Sequence, residues 1–321
     1  MPNLSPMRVF DFNDVRLLPK KCIVDSRSQV DTKVKFGPKT FNLPVVPANM
    51  STIIGQKLAN WSAENDYFYV MHRFDVDPVV FTESMHSKSL YSSISLGIKD
   101  IDVENIKRLA EMNKNPEYIT IDVAHGHSER VEFIVKQVRQ YLPESFVIAG
   151  NVGTVEGALS LEDAGAHSIK VGIGPGMACL TSPNTGFGTR DFQLSMIDAV
   201  SERASASIIA DGGIREYGDI AKSVAFGADM VMIGGMLAGH DENPGDIVDE
   251  PDGTLKKAFF GSASEHQKGE NKHVEGKKLF LPYKGSIVNT LTTIKENLQS
   301  SISYAGGDKL MDLRNVEYVI L

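Results

Sequence analysis

Cysteine is nearly absent from this chain of 321 residues, in which only Cys22 and Cys179 occur. Two thiols are too few for a disulfide framework or a cysteine-rich metal site, so any cysteine chemistry is that of a single thiol. A basic excess is missing as well: 33 Lys and Arg stand against 41 Asp and Glu, a formal net charge of -8. A surface that neutralises nucleic-acid phosphates needs the opposite balance, so no nucleic-acid partner is expected. Nor is there a run of about 18 apolar residues that could span a bilayer. Residues 1–18 mix charges and prolines with apolar side chains, unlike a secretory signal. The expectation is a cytoplasmic protein with no membrane partner.

What is present suits a globular enzyme. Hydrophobic residues make up 42% and charged residues 23%, enough apolar surface to build a core, and 28 glycines without a collagen-like period point to many tight turns. Short β-rich runs recur at residues 45–50, 67–72, 92–98, 118–123, 146–151, 168–173, 207–211 and 230–233. Their apolar stretches are near-continuous, as in parallel strands buried on both faces. Helical patterns lie between them, for example at 101–112, 128–141, 154–164 and 217–226. Strand and helix units in this alternation predict βαβ crossovers, and eight of them predict an α/β fold of the (β/α)8 (TIM) barrel type. The first strand ends in Pro47-Ala48-Asn49-Met50 rather than in the glycine-rich turn of an open dinucleotide-binding sheet. We expect one barrel domain over 1–321, with residues 1–44 as an N-terminal extension and a last helix at 285–301. The regular beat breaks at 174–190 and at 236–284; long loops in a compact domain are usually functional, and the second reads as a mobile flap.

Barrel enzymes place their chemistry at the carboxyl ends of the strands. The sixth run leads into Gly172-Ile173-Gly174-Pro175-Gly176-Met177-Ala178-Cys179, which sets the thiol on a glycine-rich loop at that face, well placed as a nucleophile. A lone cysteine is more often an inert buried hydrophobe, and Cys22 is read that way. The seventh and eighth runs end in Asp211-Gly212-Gly213 and Gly234-Gly235, where backbone amides can reach a phosphate, with Asp211 suited to accept from ribose hydroxyls. Asp122-Val123-Ala124-His125-Gly126-His127 and His72-Arg73 end two further runs. The histidine pair is open to a metal, to polar contact with a ligand, or to His127 helping Ser128 cap the next helix.

Gly172 to Gly176 followed by Cys179, Thr181 and Thr185-Gly186-Phe187-Gly188 resembles the active-site loop of the IMP dehydrogenase/GMP reductase family. The likeness continues through Asp11-Phe12-Asn13-Asp14-Val15, Ser26-Arg27-Ser28, Ala48-Asn49-Met50, Ala149-Gly150-Asn151-Val152, Asp211-Gly212-Gly213-Ile214 and Ile233-Gly234-Gly235-Met236. Only a helix-sized segment lies between Asp77 and Ser89, where dehydrogenases of the family typically insert a CBS pair, and no Arg-Tyr dipeptide occurs anywhere. Val274-Glu275-Gly276-Lys277 with Pro282-Tyr283-Lys284-Gly285, and Ser303-Tyr304-Ala305-Gly306-Gly307, resemble the reductase branch instead.

That branch implies NADPH-dependent reductive deamination of GMP to IMP and ammonia, in purine interconversion and salvage, through a covalent thioimidate. The alternative is an IMP dehydrogenase without CBS domains. The resemblance assigns catalysis to Cys179, Thr181 and Glu275. It assigns GMP binding to Asp211, Gly212, Gly213, Gly234, Gly235, Ser262, Lys272 and Gly276, and the NADPH site to Arg73, Asp122, Val123 and Ala124. Ser26 and Arg27 would reach NADPH from a neighbouring subunit of a homotetramer. The carbonyls of Gly174, Gly176 and Cys179 would form a monovalent-cation (K+) loop.

Overall fold

The computed structural model of the chain describes residues 8–261 and 276–321. An N-terminal strand β1 (Val15–Leu17) is followed by the hairpin β2 (Val34–Phe36) and β3 (Lys39–Phe41). Then come the barrel strands: β4 (Val45–Pro47), β5 (Ser93–Leu96), β6 (Tyr118–Asp122), β7 (Phe146–Val152), β8 (Ser168–Val171), β9 (Ser207–Asp211) and β10 (Met230–Ile233). The remaining strands are β11 (Ile247–Asp249), β12 (Leu255–Phe260), β13 (Lys278–Pro282) and β14 (Tyr318–Ile320). The helices are α1 (Gln56–Glu64), α2 (Pro78–His86), α3 (Asp100–Glu111), α4 (Glu129–Tyr141), α5 (Val155–Asp163), α6 (Thr181–Thr185), α7 (Gln193–Ser201), α8 (Tyr217–Ala225) and α9 (Ile287–Tyr304).

The helices form where a cap meets an apolar face. Before α4, Ser128 Oγ accepts from Val131 N, and Val131, Ile134, Val135 and Val138 make the buried stripe of a helix packed on a sheet. His127 takes no part in that cap. Asp77 caps α2 through the amides of Val79 and Val80, with Pro78 at the first helical position. Among the described residues no helix is long and apolar enough to cross a membrane.

The central sheet is parallel, in the order β4-β10-β9-β8-β7-β6-β5. Strands β5, β8 and β10 are buried at every position, as parallel strands covered on both faces are, and β10 is apolar throughout. Because β10 pairs with β4, the sheet curls until its last strand lies beside its first, as in a TIM barrel. One expected strand differs. Residues 67–72 do not pair as a ladder strand, although Phe68, Tyr69 and Val70 are fully buried. The segment lies between the two edge strands. Asp66 O accepts from Asn42 N at 2.9 Å ahead of β4, and Met71 N donates to Ser93 O at 3.0 Å. Tyrosine hydroxyls replace the missing rungs: Ser93 N donates to Tyr69 Oη at 3.2 Å, and Tyr91 Oη donates to Tyr67 O at 2.6 Å.

The N-terminal extension covers the end of the barrel opposite the strand carboxyl ends. Phe36 and Phe41 of the β2–β3 hairpin are buried among Phe68, Tyr118 and Phe146, with the Phe36 ring 5.1 Å from both Phe68 and Phe146. Tyr118 Oη donates to Phe36 O at 2.7 Å. Gly37 makes the turn at φ +58°, where a Cβ would stand 2.8 Å from the Phe146 ring. Truncation of so buried a ring leaves a cavity, so Phe36→Ala is expected to cost about 3–5 kcal/mol in urea unfolding. A loss below about 1 kcal/mol, the size of an ordinary substitution, would mean that the hairpin does not seal the barrel.

The insertion expected at 236–284 is built, where described, as an antiparallel sheet in the order β11-β12-β13. A buried lysine ties its sheet to the segment that leaves β10: Lys257 Nζ donates to His240 O at 3.0 Å and to Asn243 O at 2.8 Å. Asn243 Nδ2 in turn donates to Ile53 O at 2.8 Å.

Candidate active site

Strand β8 delivers the cysteine loop. Its first residue beyond the strand, Gly172, has φ +141°, and a Cβ there would lie 2.1 Å from Asp211 O, so only glycine lets the ends of β8 and β9 pass so closely. The loop folds back on itself, Cys179 N donating to Gly176 O at 3.0 Å. Cys179 is half-buried, and its Sγ donates to Thr181 Oγ1 at 3.3 Å, where α6 begins. The chain returns to this loop from β13's side: Gly276 bridges antiparallel to Cys179, and Lys277 N donates to Ala178 O at 2.9 Å.

Both glycine pairs lie against the same loop. A Cβ on Gly212 would stand 3.0 Å from Pro175 Cγ and 3.2 Å from Gly176 N, and one on Gly213 would stand 3.5 Å from Pro175 Cβ. A Cβ on Gly235 would stand 2.9 Å from Met177 Cε. The ends of β9 and β10 and the thiol loop therefore converge on one face. Lys284 joins them, its Nζ donating to Gly235 O at 2.9 Å and Met236 O at 3.1 Å. Burial holds the Lys284 pKa below its ordinary value.

Beneath this face lies a charge cluster that residue patterns did not reveal. Lys170 of β8 is 2% exposed, and its Nζ lies 3.0 Å from Asp122 Oδ1 and 2.9 Å from Asp211 Oδ2. Asn151 Nδ2 donates both to Asp211 Oδ2 at 2.8 Å and to Gly172 O at 2.6 Å, tying the cluster to the root of the cysteine loop. Burial would raise the Asp122 pKa, but the Lys170 charge and hydrogen bond, with Arg73 and Asn49, outweigh it and hold the carboxyl below its usual range. Burial would likewise lower the Lys170 pKa, yet its two carboxylates raise it, so the ammonium persists. The one sequence signal was a lysine between Ile169 and Val171 in a run that reads as a strand buried on both faces.

The residues expected at a dinucleotide site cluster beside Asp122. The Arg73 guanidinium lies 4.8 Å from the Phe74 ring centre, and its Nε is buried without a hydrogen-bond partner among the described residues. His72 Nδ1 accepts from Phe74 N at 3.2 Å, and burial lowers the His72 pKa, so the ring is neutral. Val123 is half-buried and Ala124 is exposed. A cavity of about 730 Å³ is lined by His72 and Phe74, the chain neighbours of Arg73, together with Met71, Asn243 and Phe260 among others.

Other expectations fall elsewhere. Ser26 and Arg27 are exposed and lie against α9, Arg27 bonding Ser300 Oγ at 3.1 Å and Tyr304 Oη at 3.2 Å, not in the cluster around Cys179. The rings of His125 and His127 sit 6.4 Å apart, and among the described residues no group of three or more His, Cys, Asp or Glu is placed to hold a metal ion. Ser262, Lys272 and Glu275 lie outside the described residues.

Residues 9–320 match the family described as IMP dehydrogenase / GMP reductase domain. The chain is 58% identical to the GMP reductase of Staphylococcus carnosus over 316 residues, covering 98% of this chain and 97% of that protein. It is 59% identical to the GMP reductase of Ligilactobacillus salivarius with the same coverage, and 56% identical to that of Staphylococcus aureus, again over 98% and 97%. The chain belongs to the IMP dehydrogenase / GMP reductase family.

Proposed function

We propose that this member of the family is a GMP reductase, converting GMP with NADPH to IMP and ammonia in purine interconversion and salvage, with residues 1–321 working as one barrel unit. The observation that carries this reading is the half-buried Cys179, bonded to Thr181 and set on a loop that touches the glycines at the ends of both β9 and β10. Glycine amides there suit a phosphate, and a thiol nearby suits attack on a ring carbon of the same ligand.

The residues divide the work as follows. Amides of Gly212, Gly213, Gly234 and Gly235 hold the phosphate, Asp211 accepts from the ribose, and Gly276, Ser262 and Lys272 complete the GMP site. Cys179 attacks purine C2 as a thiolate; the C2–N bond breaks and the amine leaves as ammonia. A neutral amine is a poor leaving group, so a positioned acid must protonate it, and Thr181 with Glu275 behind it provides that relay. Support comes from connectivity, since Glu275 is the chain neighbour of Gly276, which bridges to Cys179. NADPH, when bound, supplies the hydride that C2 gains as the C–S bond breaks. Asp122, Val123, Ala124 and Arg73 would hold it beside the substrate; the buried Arg73 Nε, without a partner among the described residues, and the cavity lined by its neighbours His72 and Phe74 support that use. A potassium ion would be held by the carbonyls of Gly174, Gly176 and Cys179.

Incubation with GMP and NADPH, set against IMP and NAD, tests the reading. Turnover is expected in the first mixture; turnover only in the second would make the protein an IMP dehydrogenase. Since Ser26 and Arg27 lie away from the thiol of their own chain, they serve a neighbour's NADPH site in a homotetramer. Sedimentation at micromolar concentration should show tetramers, and a fully active monomer would contradict this arrangement.

A further inference from the structure

Strand β8 lies beside β9 and is separated from β6 by β7. Lys170, on β8, nevertheless reaches both Asp211 at the end of β9 and Asp122 at the end of β6. The path is cleared by a glycine. Gly150 of β7 stands in register with Lys170 on one side and Asp122 on the other, and a Cβ on it would lie 2.5 Å from Lys170 Cβ. The lysine side chain is 3% exposed, while those of Asp122 and Asp211 are 14% and 19% exposed. A ligand at the barrel mouth can therefore touch the carboxylates but not the ammonium between them.

We propose that Lys170 is a positioning residue that couples the two ligand sites, binding of GMP at Asp211 and of the dinucleotide at Asp122 each strengthening the other through their shared ammonium. The inference rests on the assignment of those aspartates above. One lysine rotamer serves both carboxylates, so a ligand that fixes one of them also fixes Lys170 and, through it, the other. The second ligand then meets a carboxylate already ordered, and the ordering cost is met once. Coupling of this kind is reciprocal, and it needs no change in the shape of the barrel. Asn151 carries the same constraint to Gly172, at the root of the cysteine loop.

GMP with NADP+ has no hydride to transfer, so the pair settles to an equilibrium instead of turning over, and the coupling can be measured there. In the wild-type protein, saturating NADP+ should tighten GMP binding by about fivefold or more, the lower end of typical coupling. In Lys170→Met the ratio should fall to within about twofold of unity. Should that variant fail to fold, Asp122→Asn keeps the shape of the side chain and leaves the ion pair to Asp211. With NADP+ raised until it saturates this variant, whose own dinucleotide contact is weakened, the coupling should still be abolished while GMP affinity measured alone stays within about threefold, because Asp122 is not a GMP contact. A merely structural lysine would shift affinities or stability without removing the dependence of one ligand on the other. Wild-type protein that binds both ligands independently, or coupling that survives in the folded variants, overturns the proposal. Wild-type protein that neither binds GMP nor oxidises NADPH in its presence would instead overturn the functional assignment on which it rests.

Discussion

Cys179→Ala should abolish turnover by several orders of magnitude while GMP binding stays within about tenfold of wild type. The two effects separate because the thiol and the binding groups belong to different elements. In the proposed site the phosphate and ribose contacts would fall to the glycine pairs and Asp211 at the ends of β9 and β10, whereas the proposed nucleophile sits on the loop after β8. Removing one sulfur leaves the loop's own bonds in place, from Cys179 N to Gly176 O and from Lys277 N to Ala178 O. A variant that keeps a tenth of wild-type activity would remove Cys179 from the mechanism. The control is Cys22→Ala: contrary to the reading of it as a buried hydrophobe, that thiol is exposed, and among the described residues its hydrogen bond runs to the nearby Val24 O, so activity should not change.

Glu275→Gln should slow the release of ammonia by about 10²–10⁴, the usual range for a general acid or base, with little change in GMP affinity. The amide keeps the shape of the side chain and loses its proton-transfer capacity. Hydride transfer demands no proton at the departing nitrogen, so it should be affected much less. The half-reactions can be separated by mixing enzyme with IMP and NADP+ in the absence of ammonia and timing the first appearance of NADPH. If that burst slows as much as the forward reaction does, Glu275 shapes the cofactor site or the flap, and the relay role is wrong.

The parts of this site that could be read from the sequence are those where backbone geometry dictates residue type. Gly172, Gly212 and Gly213 occupy positive φ beside neighbouring backbone or ring atoms, a demand that leaves glycine as a visible mark. Buried strands and capped helices were legible for the same reason, since continuous apolar runs and Ser128 or Asp77 before a helix are local signals. Lys170 was illegible because its partners lie 48 and 41 residues away in sequence, and nothing near it announces a carboxylate. Residues 67–72 read as a strand because burial selected the same side chains a strand would use, while tyrosine hydroxyls took over the bonds that define one. The insertion reads as a mobile flap in sequence, but from Lys256 on β12 alternates half-buried and buried positions, and Lys257 is buried against His240 and Asn243, contacts that no local signal announces.

Reductive deamination links consumption of NADPH to release of ammonia, a pairing that oxidation of IMP with NAD does not give. The decisive assay follows NADPH absorbance after addition of GMP and measures ammonia in the same sample. The mechanism built on Cys179 predicts that NADPH is lost only when GMP is present, and that ammonia and IMP accumulate in amounts equal to the NADPH consumed. Loss of NADPH without ammonia, or no loss at all from protein that binds GMP, would contradict it.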